Sequence, residues 1–187
     1  MSHWLYVRSP VAKVLAGPAL VALVAGLVLA ARWLGVDSGG FAFVVVWWPM
    51  VWLGTMSRLV QPRLPQAYHA LRPFERDGTV YERLGVRVAK AALRRGPLAQ
   101  FNPDLHMPSE RTSGGLHHLA QRMRDAEASH ALLFAVTLGV VVHATARGWW
   151  LAAGLTLLFD VAMNGYPVML QRYNRARLAQ RYELAWA

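Results

Sequence analysis

The hydrophobic positions of the chain are gathered into four long runs that alternate with polar segments. The runs are Val14–Ala31, Gly39–Ser57, Ala128–Ala146 and Gly148–Leu170. Each is close to the length of about 20 residues that a helix needs to cross the hydrocarbon of a bilayer. We therefore predict an all-α, polytopic membrane protein with about four transmembrane helices.

This pattern divides the chain into three segments. Residues 1–60 are predicted to form the first transmembrane helix pair. Residues 61–127 form a cytoplasmic segment with a basic amphipathic stretch and a loop, and residues 128–187 form the second helix pair with a basic C-terminal tail. The cytoplasmic segment therefore lies between helices 2 and 3.

A basic amphipathic stretch, ERDGTVYERLGVRVAKAALRRG, begins at Glu75 within this middle segment. Its apolar residues Val80, Leu84, Val88 and Leu93 fall near one helical face, and cations occupy much of the remainder. Such a distribution predicts a helix at the membrane surface. The following FNPDLHMPSERTSGG is rich in Pro, Ser and Gly and predicts a loop.

Three tryptophans, Trp47, Trp48 and Trp52, surround Pro49 in the second hydrophobic run. Tryptophans often form a belt at the membrane interface. The central position of these three favours packing against neighbouring helices, or lining a groove for a lipid tail.

Composition supports a membrane protein and removes one class of chemistry. The chain is 55% hydrophobic, which exceeds the apolar content of ordinary soluble domains, and 16% of its residues are charged. It contains no cysteine, so disulfides, thiolate metal sites and cysteine nucleophiles are excluded.

The distribution of charge predicts the orientation of the helices. With four crossings and a cytoplasmic N-terminus, 18 of the 20 Lys and Arg residues lie on the cytoplasmic side, and only Arg32 and Arg147 lie outside. This asymmetry follows the positive-inside rule. We expect a multi-pass protein of the cell inner membrane with both termini cytoplasmic. Topology and anionic lipid account for the net charge of +10, so no nucleic-acid partner is required.

Four polar residues lie in or beside the last two membrane runs, at Glu127, His130, Asp160 and Asn164. Ionisable groups inside membranes are costly and mark candidate functional sites. Glu127 and His130 are three residues apart, hence on one helical face. A carboxylate beside an imidazole suits a general base, whereas the same spacing also suits a metal site. A pair that only bonds its neighbours is a third interpretation.

The stretch NGYPVMLQRYNRARL, from Asn164 to Leu178, has more hydrogen-bonding groups than a membrane anchor needs. Asp160, Asn164, Gln171 and Arg175 fall on one helical stripe. The stripe is interpreted either as one wall of a site or as a polar seam that joins helices. Arg172 and Arg177 are the residues most easily explained as interfacial anchors.

His106 and Glu110 lie in the proline-rich loop, where functional residues often concentrate. Together with Glu127 and His130 they form the candidate ligand set of the metal alternative. The common signatures of soluble hydrolases and nucleotide-binding proteins are absent from the sequence.

Three blocks of the sequence resemble the glycosyl-4,4'-diaponeurosporenoate acyltransferases, small membrane enzymes of staphyloxanthin-type carotenoid synthesis. The blocks are FERDGTVYERL from Phe74, RDAEASH ending at His130, and NGYPVMLQRYNRARL from Asn164. The matching positions are Phe74, Glu75, Gly78, Glu127, His130, Asn164, Gln171, Arg172, Tyr173, Asn174, Arg175, Arg177 and Leu178. His106 is matched only with gaps in the loop, and Asp160 has no clear counterpart.

The resemblance implies O-acylation of a sugar hydroxyl on a lipid-like glycoside, and the predicted topology places this reaction at the cytoplasmic membrane face. The donor would be a long-chain acyl co-substrate such as acyl-coenzyme A, with no cofactor. From the residues themselves we predict His130 as the general base, Glu127 as the group that orients it, and Asn164, with Gln171 or Arg172, as the oxyanion donors. The implied substrate-binding residues are Glu75, His106, Gln171, Arg172, Tyr173, Asn174 and Arg175. Membrane lipids and the lipid-like acceptor are the expected partners.

Two other functions remain open from the sequence. One is a metal-dependent, hydrolase-like membrane lipid enzyme that uses Glu127, His130 and His106. The other is a non-catalytic membrane subunit that binds lipid or a partner through its basic face. The oligomeric state and the identity of acceptor and donor are left open by the sequence.

Overall fold

The computed structural model describes residues 5–7, 10–56, 60–95 and 113–182. It confirms the all-α fold class and four helices that are long and apolar enough to cross a membrane. These candidate spans are Val14–Leu34, Gly39–Met56, Gly114–Ala146 and Trp150–Tyr182. The last two have 33 residues each, or about 50 Å at 1.5 Å per residue, which exceeds the hydrocarbon thickness of about 30 Å. The chain is therefore a membrane protein.

The chain folds into two compact units that regroup the three predicted segments. Unit 1 contains Met1–Arg63 and Ala128–Gly165, and unit 2 contains Leu64–Glu127 and Tyr166–Ala187. Each unit therefore combines an early part of the chain with a later one.

Unit 1 is built mainly from apolar helices. Its elements are α1 (Pro10–Leu34), α2 (Gly39–Met56), the second half of α6 (Ser113–Ala146), α7 (Trp150–Asp160) and a π-helical turn (Val161–Gly165). Two short strands, β1 (Leu5–Val7) and β2 (Val60–Pro62), form an antiparallel pair in which Leu5 lies opposite Pro62. Many large apolar side chains of α1 and α7 are exposed, as expected for helices that face lipid.

The tryptophans of α2 hold it against α1. Trp48 Nε1 donates to the Leu23 carbonyl at 3.2 Å, and Trp52 Nε1 donates to the Ala19 carbonyl at 2.6 Å. A Cβ atom at Gly26 would lie 2.5 Å from Trp48 Nε1, so this glycine provides the space that the indole occupies. Two of the three tryptophans thus serve helix packing, the interpretation that their central position favours.

Unit 2 collects the short helices of the middle segment. They are α3 (Gln66–His69), a 3-10 turn (Pro73–Glu75), α4 (Thr79–Arg83) and α5 (Val86–Arg95), together with the first half of α6 and α8 (Tyr166–Tyr182). Two apolar clusters stabilise the unit. Leu116, Leu119, Ala120 and Met123 of α6 pack with Leu178 of α8, while Tyr81 and Val86 pack with Leu170 and Tyr173.

The single amphipathic helix predicted after Glu75 is wrong, because two glycines interrupt it. Gly78 and Gly85 have φ values of 75° and 79°, in the left-handed region that glycine adopts without steric cost. The two interruptions also change the buried face. Val86 is fully buried, whereas Val88 is 75% exposed although the sequence placed it on the apolar face.

The last membrane helix contains a π-helical turn between α7 and α8. The turn, Val161–Gly165, ends two residues before Pro167, which has no N–H to donate to the carbonyl four residues earlier. A wider turn is one way in which a helix accommodates an interrupted hydrogen-bond ladder, and such turns occur frequently at functional sites. Asn164 lies inside this turn and is fully buried.

Candidate active site

A line of three polar side chains crosses the apolar interior of unit 1. Nδ1 of His130, on α6, lies 3.1 Å from Oδ1 of Asn164 in the π-helical turn. The other end of the same amide, Nδ2, donates to Oδ1 of Asp160 at 2.8 Å. Asp160 and Asn164 are fully buried. The second carboxylate oxygen of Asp160, Oδ2, makes no hydrogen bond within the part of the chain that the structure describes.

The local backbone brings Asn164 and α6 close together. A Cβ atom at Gly165 would lie 3.3 Å from the Phe134 ring of α6, a tight contact that the ring would have to relieve by shifting a few tenths of an ångström. The glycine beside Asn164 therefore permits the short approach that the His130 contact requires.

The second polar constellation is a buried network of ion pairs in unit 2. We call Glu75, Glu127, Arg172 and Arg175 the ion-pair network. Glu127 Oε1 accepts from Arg172 NH1 at 2.8 Å, and its Oε2 accepts from Arg175 NH2 at 2.7 Å. Arg175 and Glu127 are fully buried. Two cations face two carboxylates, so the network carries no net charge.

Arg172 uses all five of its N–H donors on the protein. Nε donates to Glu75 Oε1 at 2.8 Å, while one NH2 hydrogen reaches Glu75 Oε2 at 2.7 Å and the other reaches the Ala70 carbonyl at 3.2 Å. NH1 donates to Glu127 and to the Tyr68 carbonyl, the latter at 3.0 Å. Guanidinium offers no further donors. The interpretation of Arg172 as a simple interfacial anchor is therefore wrong.

Glu75 joins this network to the start of the broken segment. Its Oε2 also accepts from the Arg72 backbone at 2.7 Å, and its Oε1 accepts from the Tyr81 hydroxyl. Burial acts to raise the pKa of Glu75, but the hydrogen bonds from Arg172 and Tyr81 outweigh it and lower the pKa to about 2. The pKa of Tyr81 is raised, first by burial and then by its bond to Glu75. Glu75 therefore remains a carboxylate throughout the physiological range.

His69 and Tyr68 complete the surroundings of the network. Arg175 NH1 donates to the His69 carbonyl at 2.7 Å, and His69 Nδ1 lies 3.5 Å from Glu127 Oε2. Burial raises the pKa of Tyr68, and the Glu127 carboxylate adds to the effect. Beside these residues lies a shallow cavity of about 510 Å³. It is lined by Ala67, Tyr68, Ala70, Leu71, Arg72 and Arg172.

The predicted site residues divide between the two constellations. Unit 1 pairs His130 with Asn164, whereas Glu127 contacts Arg172 and Arg175 in unit 2. The orientation of His130 by Glu127 stays a prediction. Each of the two residues has a different described partner.

Other predicted substrate-binding residues also have partners within the protein. Asn174 Oδ1 accepts from Lys90 Nζ at 2.7 Å, and the Tyr173 hydroxyl donates to Glu82 at 2.8 Å. Gln171 is half-buried. The loop candidates His106 and Glu110 lie outside the described residues.

The sequence did not identify several groups that the structure brings to these sites. His69, Tyr68 and Tyr81 contact the ion-pair network, yet each looks like an ordinary aromatic residue in its local sequence. Asp160 stands out in the sequence as a charge inside a membrane run, although it has no clear counterpart in the family. Its position four residues before Asn164, one helical turn away, is the sequence feature that indicates the contact between these two residues.

The metal alternative would draw on Glu127, whose carboxylate is already engaged within the protein. Within the described ranges, no three His, Asp or Glu side chains are grouped to hold a metal ion. Both oxygens of Glu127 already accept from guanidinium groups. A cation would have to displace Arg172 or Arg175 to bind there.

Comparison with known proteins identifies one family. The family model of the glycosyl-4,4'-diaponeurosporenoate acyltransferases matches residues 65–183, which include both polar constellations. The resemblance seen in the sequence is therefore confirmed. No curated protein and no solved structure matches the chain.

Proposed function

Because the chain belongs to the glycosyl-4,4'-diaponeurosporenoate acyltransferase family, we propose that it esterifies a sugar hydroxyl of a glycosylated, lipid-like acceptor. The acyl group comes from a long-chain donor such as acyl-coenzyme A. The family supports an acyltransferase of carotenoid biosynthesis, and the membrane helices fit a substrate that is itself lipid-like. The glycosyl carotenoid carboxylate in the family's name is the first acceptor to test.

The observation that carries the mechanism is the contact between His130 and Asn164. If Asn164 Oδ1 accepts a hydrogen bond, the proton of the neutral imidazole is on Nδ1 and a lone pair remains on Nε2. That nitrogen is the proton acceptor in our mechanism. General-base catalysis of this kind contributes on the order of 10² to 10⁴ in rate.

The reaction then has four bond changes. Nε2 of His130 takes the proton from the acceptor hydroxyl, and the oxygen forms a bond to the donor's carbonyl carbon. The carbon–sulfur bond of the thioester breaks, and the proton passes from the imidazolium to the departing thiolate. One ester and one free thiol are produced, and His130 returns to its neutral form.

Asn164 acts in this scheme by orienting His130. Its amide oxygen faces His130 and its nitrogen donates to Asp160, so one N–H is left for any other acceptor. An oxyanion hole requires donors aimed at the developing charge. An orienting role therefore fits the two contacts of Asn164 better than the oxyanion role predicted from the sequence.

Exposed cations of unit 2 are our candidates for the anionic headgroup of the donor. Arg87 is 72% exposed at its side chain and only loosely paired with Glu82, at 3.7 Å, and Arg177 is also exposed. By contrast, Arg175 is fully buried and Arg172 has no free donor. We therefore assign Arg87 and Arg177 to headgroup attraction, and the ion-pair network to the framework that holds unit 2 together.

Purified protein in lipid nanodiscs tests this function directly. A long-chain acyl-coenzyme A and a glycosylated carotenoid carboxylate are supplied, and the ester and free thiol are measured. We expect both products in equal amounts, and neither with His130→Ala. Equal turnover by a folded His130→Ala protein would contradict the mechanism. An acceptor panel that includes simple alkyl glycosides would identify the acceptor class if the carotenoid is not used.

A further inference from the structure

Asp160 belongs to the line of polar groups that ends at His130, yet it does not touch the histidine. Its carboxylate accepts from Asn164 Nδ2, and the opposite side of that amide faces His130. Burial of an acid in an apolar span costs free energy, so the presence of Asp160 marks it as a candidate functional residue. Its geometry indicates what that function is.

The chemical property that matters is that a carboxylate only accepts hydrogen bonds. An amide side chain has one accepting and one donating end, so it can be turned either way in a symmetric environment. If the Asn164 amide were reversed, its oxygen would face the carboxylate oxygen of Asp160 with no hydrogen between them. The Asp160 carboxylate therefore fixes the orientation of the Asn164 amide. The amide nitrogen faces Asp160, and the amide oxygen faces His130.

The fixed amide in turn selects the tautomer of the imidazole. Asn164 Oδ1 requires a donor, so the His130 proton must be on Nδ1 and the lone pair on Nε2. We propose that Asp160 is a positioning residue that acts through Asn164 to keep His130 in the tautomer able to accept the substrate proton. This inference rests on the proposed function, although the tautomer itself can be measured without substrate.

The unsatisfied oxygen of Asp160 supports this interpretation. Oδ2 has no hydrogen-bond partner among the described residues, although the residue is fully buried. A residue chosen for stability alone would be better replaced by asparagine, which has the same shape and no charge to desolvate. Asparagine, however, has a donating end and would remove the one-way constraint on Asn164.

The test is the protonation state of the two ring nitrogens of His130. Protein labelled with ¹⁵N-histidine is measured by NMR in nanodiscs at neutral pH, and the His130 signals are assigned from the spectrum of His130→Gln. In the wild type we expect one tautomer, protonated at Nδ1. In Asp160→Asn we expect a mixture, because either end of each amide can now face the other. A Thr156→Val variant, buried one turn earlier on α7, should leave the tautomer unchanged.

A double variant separates this role from a general effect on folding. In Asp160→Asn/Asn164→Asp the acceptor-only group stands next to His130 and the amide stands behind it. The carboxylate introduced at position 164 can accept only from Nδ1–H of His130, so the single tautomer should return. A folding defect caused by asparagine at position 160 would persist in the double variant, which carries the same asparagine, so recovery would attribute the mixture in Asp160→Asn to the lost acceptor constraint.

Kinetics provides the second readout. We expect Asp160→Asn to lower kcat with KM unchanged, by about twofold if the two tautomers are equally populated, because only the protein protonated at Nδ1 can accept the substrate proton. An Asp160→Asn spectrum identical to that of the wild type, or a wild-type ring protonated at Nε2, would overturn the proposal. If the protein shows no acyl transfer at all, the NMR result still decides the role of Asp160. If the tautomer is insensitive to Asp160 but turnover requires His130, the proposed function survives alone.

Discussion

Arg172 and Glu75 form a two-point ion pair across 97 residues of sequence, with Nε and NH2 of the arginine donating to the two oxygens of the carboxylate at 2.8 and 2.7 Å. The planar guanidinium matches the carboxylate in a way that a single ammonium group does not. The pair ties α8 to the turn that begins the broken middle segment. It makes Arg172 a structural centre of unit 2.

Substitution of Arg172 by lysine should therefore be poorly tolerated. Arg172→Lys keeps the charge but loses the fork that joins Glu75 and Glu127, so we expect a loss of about 2–4 kcal/mol in stability. Thermal unfolding in detergent measures it. Arg177→Lys on the same helix is the control, because Arg177 is exposed and donates to Gln180 on its own helix. Equal midpoints for the two variants would contradict the framework role of Arg172.

Removal of Glu127 should be more severe than its neutralisation in place. Glu127→Ala leaves the fully buried Arg175 without its carboxylate and should cost about 3–5 kcal/mol, or roughly 10 °C in the unfolding midpoint. Glu127→Gln keeps an acceptor oxygen and should fall between that variant and the wild type. Asp125→Asn, a carboxylate of the same helix outside the network, should shift the midpoint by less than about 2 °C. A Glu127→Ala protein with the same unfolding midpoint as the Asp125→Asn protein would refute this ranking.

Acid should weaken unit 2 through Glu75. The folded pKa is about 2 and the ordinary value is 4.5, so the carboxylate contributes stability that is fully present above about pH 4.5. The contribution is lost as pH falls from that value toward 2, because the unfolded state then binds the proton more readily. Unfolding midpoints measured across this range should show a decline that is smaller in Glu75→Gln. Parallel curves for the two proteins would exclude Glu75 as its source.

Gly78 should tolerate no side chain. An alanine there would have to adopt φ near 75°, and its Cβ would lie 3.1 Å from the Tyr173 ring. We expect Gly78→Ala to destabilise the protein by about 1–3 kcal/mol. Gly139→Ala, inside α6 with open space around it, should be neutral or slightly stabilising. The contrast between the two unfolding midpoints is the measurement, and a neutral Gly78→Ala would disprove the argument.

His130 should be required for turnover and not for folding. His130→Gln keeps a polar side chain of similar length but provides no base, so kcat should fall by about 10²-fold or more. His118→Gln, at an exposed position of the same helix, should retain activity. Product formation at saturating donor measures both, and circular dichroism verifies the helix content. A His130→Gln enzyme with normal kcat would require a different base.

The sequence predicted those parts of the molecule that depend on composition and local spacing. The four membrane helices followed from hydrophobic length, and His130 and Asn164 stood out because polar groups are rare in such runs. The pairing of Glu75 with Arg172 could not be predicted from the sequence, because periodicity carries no information about contacts between residues 97 positions apart. The Asp77-Gly78 turn dipeptide indicates a break in the middle segment, whereas the apolar spacing around it predicts one continuous helix.

The role of Asp160 shows a different limit. A family resemblance ranks residues by their presence in other sequences, and Asp160 has no clear counterpart there. Its function in this chain depends on which end of the Asn164 amide faces it, which only the three-dimensional arrangement reveals.

The ion-pair network also depends on the order in which the chain is synthesised. Both carboxylates, Glu75 and Glu127, leave the ribosome before the arginines that neutralise them. Until α8 emerges, Glu127 stands on a long helix without either counter-ion, and the nascent chain cannot complete unit 2. Synthesis of α8 therefore completes the neutralisation of unit 2, and a chain truncated before Arg172 would keep Glu75 and Glu127 without their arginine partners.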